Sequence, residues 1–194
     1  MYIYHGSFVS NITTLKPNLK MHNGKEEKIV YLTSNYAYAL FYIWDPVNNH
    51  RKNKYITAYI KDGIVYYEEQ FPNQFYEFYH KVNGCVYYVL ESDAFIKGSE
   101  ESFYISNDDT KVVKCDFIDN VHNKILEYIN KGLVKILYYN EQPKEKQESL
   151  KEKIVHVILK KQIIGSDNEE ELFFKKYFVE AYNRAVQSIE KRIK

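Results

Sequence analysis

The chain has 194 residues, 45% of them hydrophobic, with 27 basic and 26 acidic side chains. A formal net charge of +1 excludes a strongly basic nucleic-acid binder and a highly charged disordered tail. Two cysteines, Cys85 and Cys115, exclude a disulfide framework and a four-thiolate zinc site. No apolar run approaches the roughly 18 residues of a membrane span. MYIYHGSFVS has neither a basic n-region nor a signal-length apolar core, so a cytoplasmic protein without a membrane segment is expected.

Met1–Tyr4 reads as a short strand ending at His5-Gly6-Ser7. Residues 8–27 read as loop and turn around Pro17, Asn18, Asn23 and Gly24. Ile29–Leu32 is a second strand. Ser34 then caps a helix over Tyr36–Ile43, whose Ala37, Leu40, Phe41 and Trp44 share one face. Asp45-Pro46 stops it. Runs at 54–60 and 63–69 flank Lys61-Asp62-Gly63 and predict a hairpin. Residues 75–81 fit either helix or strand. Gly84–Leu90 is a near-continuous apolar strand, and Lys111–Cys115 a further short one. Between them, 92–110 is polar and loop-like, interrupted at Ser102–Ile105.

Phe117, Ile118, Val121, Ile125, Ile129 and Leu133 then mark an amphipathic helix ending near Gly132. Leu133–Tyr139 has strand composition, and Glu141–Glu148 reads as a linker. Leu150, Ile154, Val157 and Ile158 mark another helix. Ser166 with Glu169 forms a capping-box pattern opening one long helix through Ile189. Strands therefore dominate residues 1–115 and helices 116–194. This predicts an α+β chain whose helical C-terminal region, 116–194, either packs on the β-rich core of 1–115 as one domain or forms a C-terminal subdomain.

Several chemistries lack their motifs. There is no P-loop, no G-x-G-x-x-G, no H-E-x-x-H, no C-x-x-C and no G-x-S-x-G. No metal is implied. What remains is N-terminal. Tyr4-His5-Gly6-Ser7 closes a strand, and Ile29-Val30-Tyr31-Leu32-Thr33 follows about 25 residues later, before a small-residue and aromatic helix. His5 places an imidazole beside a glycine backbone that a planar ligand can approach. Tyr31 offers a ring face, and Tyr38 or Tyr42 an opposing one. Such a set suits a flat amide held by stacking and backbone hydrogen bonds.

This pattern resembles the His-Tyr-acid branch of the ADP-ribosyltransferase superfamily, which includes poly-ADP-ribose polymerases and rifampin ADP-ribosyltransferases. The resemblance covers residues 1–45 and extends to 54–91 through strand order. It implies a split antiparallel β core and NAD as substrate. In that family a Y-H-G-[ST] strand end supplies a histidine for a ribose hydroxyl and a glycine backbone for the nicotinamide amide. By that pattern His5, Gly6 and Ser7 bind NAD, Tyr31 stacks on nicotinamide, and Tyr42 falls where the second ring is often placed. The family also needs an acid to stabilise an oxocarbenium-like transition state. Glu68, Glu69 and Glu91 each close a strand and are the candidates, Glu68-Glu69 being favoured. Glu169-x-Glu171 reads instead as first-turn carboxylates.

The function implied is transfer of ADP-ribose from NAD to an acceptor, a protein or a small molecule, that the sequence does not specify. Two alternatives stay open. One is a non-catalytic module that keeps the fold and docks a partner through the helices at 146–192. The other is an RNA-end enzyme, disfavoured because only Arg51, Lys52 and Lys54 supply nearby cations.

Overall fold

A computed structural model describes residues 1–22, 25–44, 57–98 and 100–193. Its architecture is α+β, with an antiparallel sheet and several helices. Two compact units are distinguished. Unit 1 is Met1–Asp45, Ala58–Tyr67 and Phe75–Ile136; unit 2 is Pro46–Thr57, Glu68–Gln74 and Leu137–Lys194. Residues 116–136 join the first unit because their strand pairs with its sheet and their helix contacts its N-terminal helix.

In chain order the strands of unit 1 begin with β1 (Tyr2–Ser7), β2 (Thr14–Leu15), β3 (Asn18–His22) and β4 (Lys25–Thr33). After the helix α1 (Tyr36–Leu40) come β5 (Thr57–Lys61) and β6 (Ile64–Glu68). The helix α2 (Gln74–Tyr79) precedes β7 (Gly84–Leu90), β8 (Ile96–Lys97), β9 (Phe103–Ser106), β10 (Thr110–Lys111) and β11 (Lys114–Ile118). The helix α3 (Val121–Asn130) and β12 (Val134–Leu137) complete the set, a few end residues of these elements falling in unit 2.

The main sheet runs β11-β7-β1-β4-β9-β8, with β3 paired on β4. One face buries Ile3, Val30, Leu32, Cys85, Tyr87 and Val89 together with Leu15. Alternation along β1 turns Tyr2 and Tyr4 to the other face. There Tyr4 and Tyr88 meet edge-on at 5.1 Å, and Tyr36 stacks on Tyr128 of α3. Phe41 and Tyr67 stack at 5.2 Å, and the buried Trp44 meets Phe78 edge-on at 4.8 Å. Of the aromatic run at 71–79, Phe75, Phe78 and Tyr79 are buried in unit 1 and Phe71 in unit 2, while Tyr76 is exposed.

The sheet is not uniformly closed. β1 pairs with β7 at six positions, from Tyr2↔Leu90 to Ser7↔Cys85. Its pairing with β4 is recorded at Tyr4↔Thr33 alone. Past that pair the two central strands separate.

Several local expectations are corrected. Residues 18–22 and 25–28 form a hairpin arm, not a loop. Asn35, not Ser34, caps α1: its Oδ1 accepts the Tyr38 N–H at 3.0 Å. Phe117 and Ile118 belong to β11, and α3 starts after Asn120, whose side chain caps it.

Unit 2 holds α4 (Lys144–Lys160), α5 (Glu169–Tyr177) and α6 (Val179–Ile193). The expected linker at 141–148 is largely the first turn of α4. Asn168, not Ser166, caps α5, and Phe178 interrupts the expected single long helix. Phe71, Phe173, Phe174 and Phe178 fill its interior. Arg184 bonds the carboxylates of Glu148, Glu152 and Glu180 across the α4–α6 surface. No helix among the described residues is long and apolar enough to cross a membrane.

Candidate functional site: a cleft where the central strands separate

Where β1 and β4 part, the gap is spanned by a side chain. His5 Nδ1 lies 2.8 Å from the carbonyl oxygen of Tyr31. A carbonyl only accepts, so Nδ1 carries the proton and Nε2 presents a lone pair. Burial lowers the His5 pKa below its ordinary value, the Tyr31 bond opposing it. The ring is therefore neutral at pH 7, with its tautomer fixed. It can accept a hydrogen bond from a hydroxyl through Nε2.

The cleft is lined by Tyr4, His5 and Gly6 from β1, Tyr31–Thr33 from β4, Tyr38, Ala39 and Tyr42 from around α1, and Phe103 from β9. All belong to unit 1. Gly6 lets β1 touch α1: a Cβ there would stand 1.9 Å from the Ala39 carbonyl oxygen. Tyr42 is 41% exposed, and its hydroxyl donates to Tyr38 Oη at 3.2 Å. Tyr38 donates in turn to the Ala58 carbonyl at 3.2 Å. This relay orients Tyr42 edge-on to Tyr38, at 5.3 Å. Burial is the first cause of the raised pKa of both phenols, and the nearby charge of Glu100 adds to it. The cleft is narrow. It holds about 10 Å³ of free volume, about the room of one water.

Of the residues singled out from the sequence, His5, Gly6, Tyr31 and Tyr42 are thus brought together. Ser7 is not among the lining residues; its Oγ accepts the Val9 N–H at 3.1 Å. None of the three acid candidates is among the described residues that line the cleft. Glu68 and Glu69 belong to unit 2. Glu68 pairs with Lys146 at 2.9 Å, and Glu69, 2% exposed, accepts the Tyr139 N–H at 3.0 Å. Glu91 follows β7 at the end opposite His5. Its N–H bonds the Met1 carbonyl and its carboxylate faces the N-terminal amine at 3.8 Å. That end of β1 is four residues from His5, about 13 Å at strand rise. Arg51, Lys52 and Lys54 lie outside the described residues.

Two residues were not found by sequence reasoning. Phe103 lines the cleft, its ring 5.4 Å from that of Tyr31. Glu100, just before it, is the carboxylate whose charge reaches Tyr38 and Tyr42. The signal for Phe103 lies in Ser102–Ile105, which reads only as an interruption of a loop, and Glu100 falls in the polar stretch before it. No carboxylate is among the described lining residues. The described residues contain no cluster of three or more His, Cys, Asp or Glu suited to a metal. Unit 2 has a wider concavity of about 380 Å³ at the start of α6. Its Lys151 is already paired with Glu180 at 2.6 Å.

No family model matches the chain, and no curated protein and no solved structure matches it either.

Proposed function

We propose that unit 1 is an ADP-ribosyltransferase-like unit whose β1–β4 cleft takes the nicotinamide–ribose end of NAD. The observation that carries this reading is the His5 bond to the Tyr31 carbonyl across the parted strands. It holds a neutral imidazole whose remaining lone pair suits a ribose hydroxyl. Beside it stand a glycine backbone and the Tyr31 ring, the groups a flat amide needs. In transfer, nicotinamide departs as the C–N bond breaks and the acceptor's oxygen or nitrogen bonds the same ribose carbon, losing its proton. Glu100 is the carboxylate we assign to stabilise the positive charge that develops.

A second reading, binding without transfer, is favoured by one observation: no carboxylate is among the described residues that line the cleft. One set of measurements separates the two. NAD titration by calorimetry is expected to show micromolar to millimolar binding, with His5→Ala raising Kd at least tenfold. Released nicotinamide is then followed by chromatography. Release that falls more than tenfold in Glu100→Gln, at unchanged Kd, supports transfer. Binding without release supports the second reading. Unchanged NAD binding in His5→Ala refutes the assignment of the cleft.

A further inference from the structure

We infer that Phe103 is a removable plug in the unit 1 cleft: its ring fills the place beside Tyr31 that a flat ligand ring would take. This inference rests on the proposed NAD reading and adds how the site is kept shut.

The plug position follows from strand register. β4 and β9 pair at Thr33↔Phe103 and Tyr31↔Ile105. Phe103 and Tyr31 are therefore diagonal neighbours on one face of the sheet, within reach of aromatic side chains. Their rings sit 5.4 Å apart and tilted by 43°, a contact that fills space without a parallel stack. The result is a cleft with room for about one water, where small-molecule sites hold roughly 300–1,000 Å³. His5 and Tyr31 are in place, but a pyridine ring cannot enter beside Tyr31 while the phenyl ring is there.

The backbone beneath the plug is held. The Phe103 carbonyl accepts the Gly98 N–H at 2.9 Å, and the Phe103 N–H donates to the Glu100 carbonyl at 3.3 Å. Ser102 has φ 62°, in the left-handed region, and its carbonyl accepts the Ser34 N–H at 2.9 Å. Gly98 leaves the ring its space, since a Cβ there would stand 2.2 Å from Phe103 Cδ1. The ring itself is only half-buried. It can swing about its own side-chain torsions while the strand stays paired. Binding then selects the minor, unplugged state, and the apparent affinity is reduced by the fraction unplugged.

The test is NAD titration by calorimetry of wild type, Phe103→Ala, Phe103→Leu and the Phe103→Ala/His5→Ala double variant. Thermal melts verify folding, and Phe103→Leu serves if the alanine variant does not fold. The expected result is Kd at least tenfold lower in Phe103→Ala, a smaller gain in Phe103→Leu, and loss of the gain in the double variant. Weaker binding in Phe103→Ala would make the ring a wall that the ligand uses, and overturns the plug. Wild-type binding that His5→Ala abolishes and Phe103→Ala leaves unchanged overturns the plug alone. No binding by any folded variant, with NAD well above a millimolar, overturns the NAD reading and the plug together.

Discussion

Gly6→Ala is expected to destabilise unit 1 by about 3 kcal/mol or more. The added Cβ would stand 1.9 Å from the Ala39 carbonyl oxygen, 3.0 Å from its carbon and 3.3 Å from Ile43 Cγ1. The nearest obstacle is backbone, and it has little freedom to withdraw. Asn35 caps α1, Tyr38 anchors it to the Ala58 carbonyl, and Tyr79 donates to the Phe41 carbonyl at 3.0 Å. Gly6 has no left-handed φ, so the whole effect is overlap. Gly63→Ala is the opposite case. Its Cβ would meet nothing within 4 Å, but φ is +75°, and the cost is conformational, about 1–2 kcal/mol. Urea midpoints of the two variants measure the difference. A Gly6→Ala midpoint within experimental error of wild type would mean that α1 slides away at no cost. The fold alone therefore demands glycine at position 6, whatever the cleft binds.

Unit 2 is expected to lose stability in acid through Glu171. This carboxylate is 1% exposed and has four partners. It accepts from the Tyr182 hydroxyl, from the Gly165 N–H at 2.9 Å and from the Asp167 N–H at 2.7 Å, and Lys175 lies 3.1 Å away. The Tyr182 hydroxyl, ahead of the two backbone donors and Lys175, holds its pKa down at about 2, against the opposing effect of burial. The folded state thus favours the charged form. Its contribution is complete above the ordinary carboxylate pKa, near 4.5, and is lost as pH falls toward 2. The linkage amounts to about 3 kcal/mol at most, with the exposed Lys175 adding little of it. Glu171→Gln keeps the shape and removes the titration. The drop in urea midpoint between pH 6 and pH 3 should shrink in this variant. Equal drops in both proteins would assign the acid sensitivity to other groups.

The cleft was legible where its signals are local. His5, Gly6 and Tyr31 end or occupy short strands whose composition marks them, and Tyr42 follows just past α1. Glu100, the carboxylate we propose, was not legible, because the glutamates that close strands, Glu68, Glu69 and Glu91, drew the reading away from it. Which strand lies beside β4 depends on pairing between residues about 70 apart, as at Tyr31↔Ile105. The spacing of Phe117, Ile118 and Val121 fits a helix equally well, so the strand at 114–118 was masked by its neighbour. The arm formed by 18–22 and 25–28 carries charged residues on paired strands where no buried face imposes alternation. The break at Phe178 has no glycine or proline to announce it. Its ring is instead drawn into the Phe71–Phe173 cluster.

Trp44 is the chain's one tryptophan, and it lies in unit 1, 3% exposed and against Phe78. Emission excited at 295 nm, where tyrosine hardly absorbs, therefore reports on that unit alone. The two longest helices, α4 and α6, belong to unit 2 and weight the far-ultraviolet dichroism toward it. One denaturant titration followed by both signals thus carries its own cooperativity check. Coincident curves mean that the units melt as one, and displaced curves give each its own midpoint.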